Sequence, residues 1–393
     1  MRMMIHFIQT FVLIRNCFFF VVRVIMKIIH CADLHLDSKL TANLDKEKAK
    51  QRKQELLLTF KRMVSYAADN GIEAILICGD LFDTKVISAT ARNTVLSEIV
   101  NHPDIDFYYL KGNHDSDNFL SSEEDIPDNL KLFNDTWTEY DLSSDGKVKL
   151  YGIEFNGANT ASAQVNFVPD PSDINIVMLH GQESESSAKD KAEIIDLKAF
   201  RNKGINYLAL GHIHEYKCDM LDGEGKYCYP GCLEGRGFDE CGEHGFVELN
   251  VDTESGKVND RFISFALRKL YEINVDITGL NASPDIILRA RNVLSSSDAT
   301  DEDLVKVVLT GEVDVECEKD IVFITNSLKD DYYFLKVYDN TKFHVDYDAF
   351  MLDESLKGEF VRIVKASELD DTEKADIIRY GLNVIAGGDI DED

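Results

Sequence analysis

"YLALGHIHE", residues 207–215, ends an apolar run at Gly211 and then presents His212 and His214 on either side of one isoleucine. In an extended segment residues i and i+2 point to the same side, so the two imidazoles are expected to enter one pocket together. Four other apolar runs end in the same way. "IIHCADLHLD" (28–37) ends with Asp33 and His35, "AILICGDLFD" (74–83) with Asp80 and Asp83, "FYYLKGNHD" (107–115) with Asn113, His114 and Asp115, and "NIVMLHGQ" (175–182) with His180. Each run is rich in β-branched, leucine or aromatic residues and halts at a polar or glycine boundary, the pattern of a buried strand.

Helical patterns separate these runs. "KAKQRKQELLLTFKRMVSYAADNG" (48–71) and "KDKAEIIDLKAFRNKG" (189–204) each close on a glycine, Gly71 and Gly204, in the C-cap position. Alternation of strand and helix predicts an α/β fold, and open α/β sheets place their sites at the carboxyl ends of strands.

Seven residues at those ends are of metal-ligand type: Asp33, His35, Asp80, Asn113, His180, His212 and His214. Carboxylates, imidazoles and one amide, with no thiolate, suit Mn²⁺, Fe²⁺ or Zn²⁺ better than Ca²⁺ or Cu⁺. Seven exceed the needs of one ion and match two ions sharing a carboxylate, the clamp for in-line displacement at phosphorus. A lone D-x-H or a lone histidine is ordinarily structural, and His30, His102, His244 and His344 are read so. What separates the seven from that background is the ordered conjunction D-x-H, GD-x-x-D, GNHD, H-G and G-H-x-H.

With these motifs, residues 26–250 resemble the calcineurin-like metallophosphoesterase superfamily. "HCADLHLDS", "ICGDLFD", "GNHD", "LALGHIH" and "YPGCLEGRGFDECGEHGFV" (229–247) most resemble its SbcD-type (YhaO-like) DNA repair exonucleases. The resemblance implies a four-layer α/β/β/α sandwich with a second, smaller α/β capping domain and C-terminal helices. It implies one metal held by Asp33, His35, Asp80 and His214, and another by Asp80, Asn113, His180 and His212, with Asp80 bridging. His114 would be the general acid and Asp83 the residue that orients it, with Asp115 supporting the site from behind. The implied activity is metal-dependent hydrolysis of DNA phosphodiesters, as exonuclease or endonuclease in DNA repair, with two divalent ions, Mn²⁺ first and Fe²⁺ or Zn²⁺ as alternatives. The implied partners are DNA, an SbcC-like coiled-coil ATPase and a second copy of the chain. Two departures stand out. Thr84–Lys85 follow GD-x-x-D where phosphoprotein phosphatases have Arg-Gly, and Cys232 occupies a position where relatives often have serine.

The charge of −29 excludes a free-standing electrostatic DNA clamp, because gripping phosphates requires cations that displace counterions. Any nucleic-acid role needs bound metals, local cations or a basic partner. Eight cysteines are scattered, four of them as C-x9-C-x3-C-x8-C from Cys218 to Cys241; without paired C-x2-C knuckles this reads as reduced thiols rather than structural zinc. A cytoplasmic location is expected.

Residues 1–25 are apolar and basic with no acidic residue. Arg15 and Arg23 interrupt them before the ~18 apolar residues of a membrane span, and no small-residue cleavage site follows. They are expected to be a disordered or spuriously translated N-terminal extension, with Met26 the natural start and no membrane anchor. Residues 26–264 are expected to form the nuclease domain. Residues 265–350 follow a β-α-β-α-β pattern: strand 270–278, helix 283–294, strand 304–316, helix 320–330 and strand 332–339. Residues 351–393 are expected to form a helical pair and acidic tail, with Leu356, Phe360, Ile363 and Val364 on one apolar face and Ala375, Ile378, Leu382 and Ile385 on the other. Such a pair packs on its own domain or docks an SbcC-type partner.

Two rival functions use the same residues. A small-molecule phosphodiesterase or phosphatase acting on nucleotides or cyclic nucleotides needs the seven ligands but not the C-terminal region. A non-enzymatic metal-binding scaffold needs neither His114 nor Asp83.

Overall fold

The computed structural model describes residues 25–40, 44–83, 87–115, 119–120, 126–184, 194–345 and 347–385. The expected N-terminal extension up to residue 24, Thr84–Lys85 and the acidic tail lie outside the described residues. The chain divides into two compact units, one running up to Glu234 and including His244–Phe265, the other comprising Gly235–Glu243 and the described residues from Ala266 onward.

The first unit alternates strands and helices in the order β1 (Ile25–Cys31), α1 (Lys46–Asn70), β2 (Ala74–Cys78), α2 (Ala89–Asn101), β3 (Asp106–Leu110), β4 (Leu130–Leu132), β5 (Thr138–Asp141) and β6 (Val148–Gly152). It continues with α3 (Thr160–Asn166), β7 (Ile174–His180), β8 (Gln182–Ser184), β9 (Ile194–Asp196), α4 (Leu197–Phe200), β10 (Ile205–Gly211), β11 (Lys217–Met220), β12 (Lys226–Tyr229), β13 (Gly245–Asp252) and β14 (Val258–Ser264). Two six-stranded sheets result, ordered β14-β13-β1-β2-β3-β4 and β11-β12-β10-β7-β6-β5. The centre of each is parallel: β1 with β2, β2 with β3, β6 with β7, and β7 with β10.

Period-two packing makes four layers. Ile176 and Met178 of β7 turn toward Ile28, Leu76 and Tyr108 of the facing sheet, while Val177 and Leu179 turn outward to Phe167 and Phe200 beside α3 and α4. On the other side, Ile75 and Ile77 of β2 meet Phe60, Met63 and Val95 of α1 and α2. The order is helices, sheet, sheet, helices: the α/β/β/α sandwich expected of a calcineurin-like fold. Strands covered on both faces have no polar face to display, which is why the runs read as continuous rather than alternating. Helix α1 begins at Asp45, whose carboxylate accepts from the amides of Glu47 and Lys48, and ends at Gly71 in the left-handed conformation.

One helix expectation gives way. Within 189–204 the described residues form a short strand, β9, paired in parallel with β8, followed by the four-residue α4. The adjacent Ile194 and Ile195 are β-branched, and the Asp196 carboxylate accepts from the Lys198 amide at 3.0 Å, starting a helix there rather than upstream.

The second unit has a three-stranded parallel sheet, β15 (Leu270–Asp276), β16 (Leu304–Thr310) and β18 (Phe334–Asp339), packed with α5 (Ser283–Leu294) and α6 (Ile321–Leu328). The expected strand over 304–316 divides at Gly311 into β16 and a separate β17 (Glu312–Asp314), which pairs with β19 (Lys342–His344). Helices α7 (Tyr347–Leu352), α8 (Leu356–Lys365) and α9 (Asp371–Ile385) bury Val361, Val364, Ala375, Ile378 and Leu382 with Val315, Val345 and Phe350 of the same unit. The anticipated face of α8 is rotated: Leu356 and Ile363 are 68% and 63% exposed. The Arg362 guanidinium donates to the carbonyls of Phe350 and Asp353 and holds α8 in this setting.

Candidate metal centre

Five parallel strands of the two facing sheets deliver side chains to one end of the first unit. After β1 come Asp33 and His35, after β2 Asp80 and Asp83, after β3 Asn113 and His114, at the end of β7 His180, and after β10 His212 and His214. Backbone bonds continue where regular pairing stops, from Asp33 N to Gly79 O at 3.1 Å and from His35 N to Asp80 O at 2.9 Å. The two sheets are tied across the end, since the His212 amide donates to both oxygens of Asp33, at 3.1 and 2.9 Å.

Asp80 is central. Its Oδ2 lies 3.7 Å from His35 Nε2 and 3.5 Å from His180 Nε2, while its Oδ1 accepts from the His114 amide at 2.9 Å. On one side, His35 Nε2 and His214 Nε2 approach to 3.2 Å, with Asp33 Oδ1 4.0 Å from His214 Nε2. On the other, His180 Nε2 stands 3.0 Å from Asn113 Oδ1, and the His212 ring meets the His180 ring edge-on at 5.4 Å. His214 thus lies beside His35, Asp33 beside His214, and Asn113 and His212 beside His180. The extended-strand picture of His212 and His214 does not describe how they get there. β10 ends at Gly211, His212 has φ 103°, and the His214 ring meets His35 while the His212 ring meets His180.

The backbone here is unusual. Among the described non-glycine residues, positive φ occurs at Asp33 (53°), His35 (44°), Asp80 (52°) and His212 (103°), with Asp37, Leu40 and Asn202 the others. Such conformations cost of order 1–3 kcal/mol each and persist where the surroundings enforce them. Glycines supply the room. A Cβ on Gly79 (φ +86°) would lie 2.1 Å from His180 Nδ1, and one on Gly112 would lie 2.2 Å from Asp80 Oδ1. The glycines of GD and GNHD are the walls against which a carboxylate and an imidazole are seated.

The donor chemistry fits a cation. His180 Nδ1 faces the Cys78 carbonyl at 2.9 Å; a carbonyl only accepts, so Nδ1 carries the proton and Nε2 presents a lone pair. Burial pushes this imidazole down to about 4, leaving it neutral near pH 7. Its Nε2 then confronts two further acceptors, Asp80 Oδ2 and Asn113 Oδ1, an arrangement that a shared positive ion satisfies. Asp33, His35 and His214 form one cluster of ligand atoms, Asp33, Asp80 and His180 another, each with its atoms within 4.8 Å of one another.

Behind these groups, Asp83 reaches two histidines with one oxygen: Oδ1 lies 3.1 Å from His114 Nδ1 and 3.3 Å from His35 Nδ1, while Oδ2 accepts from Ser38 Oγ at 2.8 Å. The reach to His35 and the support from Ser38 carry no sequence signal beyond the run "HLDS". Asp115 joins two loops, accepting from the amides of Leu81, Phe82 and Gly112 at 3.3, 2.9 and 3.0 Å, and burial raises its carboxyl to about 6. Of the other described histidines in this unit, His30 sits between the sheets on Tyr207 and Leu210, and His244 lies beside Cys232.

The α/β/β/α sandwich is consistent with a calcineurin-like fold. Residues 26–216 match the family model of calcineurin-like phosphoesterases, which supports the calcineurin-like metallophosphoesterase superfamily, a hydrolase family that uses divalent metals, for this chain. The chain is 28% identical over 233 residues to the uncharacterized metallophosphoesterase YhaO of Bacillus subtilis (strain 168), covering 57% of each protein. It is 28% identical over 209 residues to the DNA double-strand break repair protein Mre11 of Sulfolobus acidocaldarius, covering 50% of this chain and 52% of that protein. With the Mre11 of Methanopyrus kandleri it shares 22% identity over 321 residues, covering 74% and 69%. The chain thus spans little more than half the length of the first two relatives. Among the described residues no helix is long and apolar enough to cross a membrane.

Proposed function

We propose that this chain is a divalent-metal-dependent phosphodiesterase acting on DNA, a nuclease of the SbcD type. The observation that carries the reading is Asp80, whose carboxylate stands between His35 and His180 with His114 anchored beside it. Asp33, His35, Asp80 and His214 would hold one ion, and Asp80, Asn113, His180 and His212 the other. Two bound ions, Mn²⁺ first among the candidates, supply Lewis acidity to a phosphoryl oxygen and activate water.

The chain's own groups do the rest. His114 is 48% exposed, with Nδ1 3.1 Å from Asp83 Oδ1. That contact fixes the ring and leaves Nε2 directed away from the carboxylate, where it can hand a proton to a departing oxygen. Because the same Asp83 oxygen also faces His35, it sets the acid and a ligand in register. A polyanionic substrate must approach a chain of charge −29, so a basic partner is part of the reading: an SbcC-like ATPase, with this chain acting as a homodimer in the cytoplasm. Similarity to Mre11, a DNA double-strand break repair protein, favours DNA over a small nucleotide.

The test uses labelled linear duplex DNA and bis-p-nitrophenyl phosphate, each with Mn²⁺ and with EDTA. DNA degradation that requires Mn²⁺, and that falls about 10²–10⁴-fold in His114→Ala while DNA binding persists, is expected. Rapid turnover of a cyclic nucleotide with inert DNA would replace the nuclease reading by a small-molecule phosphodiesterase.

A further inference from the structure

The hairpin of β11 and β12 leaves the metal centre directly: β11 starts at Lys217, just after His214, and β12 pairs with β10 so that Cys228 stands beside Ala209. Within the hairpin, Cys218 and Cys228 are direct cross-strand partners. The bond from Leu221 N to Gly225 O, 2.9 Å, sets the phase of the ladder. Counted outward in twos, Asp219–Tyr227 and Lys217–Tyr229 are bonded pairs, and Cys218–Cys228 falls between them at a narrow, non-hydrogen-bonded position. At such positions Cα atoms stand about 4.5 Å apart, inside the about 4.4–6.8 Å range of disulfides. Direct partners share a face of the sheet, and both cysteines pack in the same intersheet core.

Their environments differ in a useful way. Cys218 is half-buried and its Sγ donates to Asp260 Oδ2 at 3.5 Å; Cys228 is fully buried. The adjacent Cys218 sulfur, together with burial, pushes the Cys228 thiol far above its ordinary range. One thiol is partly exposed, and the other is buried beside it.

We propose that Cys218 and Cys228 are a reversible disulfide site, closed by peroxide, on the strand pair that leads out of the metal centre. Cys218 reacts first. Its sulfur attacks one peroxide oxygen, the O–O bond breaks, and that oxygen stays on sulfur as the sulfenic acid while the other departs as water with the thiol proton. The Cys228 sulfur then displaces the hydroxyl, forming the S–S bond as its own proton leaves in a second water. Two thiols lose two electrons and the peroxide gains them. Cβ atoms at a non-bonded pair lie about 4.5–5.5 Å apart and a disulfide wants about 3.5–4.5 Å. Closure therefore draws the strands together, and the strained bond is readily reduced again. Cys31 and Cys78 also lie on adjacent strands, but both are fully buried and Cys31 is in register with Ile77 instead.

The full reduced chain is exposed to hydrogen peroxide, quenched, denatured in the presence of the alkylating agent and mapped with trypsin. The expected product links peptides 218–226 and 227–236 through Cys218 and Cys228, with fragmentation separating Cys228 from Cys232. Both thiols are lost to alkylation together and return with dithiothreitol, and the link is absent in Cys218→Ser. Peroxide that leaves both thiols free, carries Cys218 to sulfinic acid without a link, or joins Cys218 to another cysteine overturns the proposal. The wild-type map alone decides the matter, so failure of the variant to fold does not shelter it.

Discussion

Gly112→Ala perturbs the proposed metal centre without replacing any of its proposed ligands. The new Cβ would sit 2.2 Å from Asp80 Oδ1 and 2.6 Å from Asp80 N. Ordinary contact begins near 3.4 Å, so the carboxylate must retreat by 3.4 − 2.2, about 1.2 Å. Asp80 cannot make that move cheaply, because the same oxygen accepts from the His114 amide and its partner oxygen lies between His35 and His180. A misplacement of ~1 Å costs on the order of 10²-fold in rate, and disturbed support of a ligand costs about 10–100-fold in metal affinity. Hydrolysis of bis-p-nitrophenyl phosphate at saturating Mn²⁺ is therefore expected to fall about 100-fold, with Mn²⁺ affinity, by calorimetry, falling at least tenfold. Circular dichroism verifies that the sandwich survives. Gly157→Ala is the matched control, since its Cβ would meet nothing within 4 Å. A Gly112→Ala protein that binds Mn²⁺ and turns over like the wild type would refute the seating of Asp80 against this glycine.

Two other predictions concern stability. His30 is fully buried, and burial lowers its pKa from 6.5 to about 3. Below about pH 6.5 the unfolded chain takes up a proton that the folded chain refuses. Stability is therefore complete above that pH and falls as pH drops toward about 3, at up to about 1.4 kcal/mol per pH unit and on the order of 5 kcal/mol in all; urea midpoints should flatten with pH in His30→Leu, and an unchanged slope counts against it. Arg52, 2% exposed, bonds Glu55 at 2.7 Å and Glu234 at 3.2 Å, and Glu234 also accepts from Thr59. Arg52→Met should cost about 3–5 kcal/mol in urea unfolding by stranding a buried carboxylate, and Glu234→Leu added to it should recover part of the loss; strict additivity would refute the coupling.

Much of this protein was legible before any coordinates. Buried strands such as 74–78 and 174–180 declare themselves because a strand covered on both faces must be apolar throughout, and helix α1 carries its own start at Asp45 and stop at Gly71. The candidate ligands stood out because each follows one of those runs immediately. Tertiary structure decided the rest. Positive φ at Asp33, His35, Asp80 and His212 is uncommon even for Asp and His, and it survives because neighbouring strands dictate the backbone there. That Asp83 serves both His114 and His35, that Ile194–Asp196 joins a strand, and that α8 turns Leu356 and Ile363 outward all depend on partners distant in sequence. Local composition controls burial and punctuation. Register, rotation and the convergence of side chains come from packing between segments, where the energies of many non-local contacts overrule the preference of any single residue.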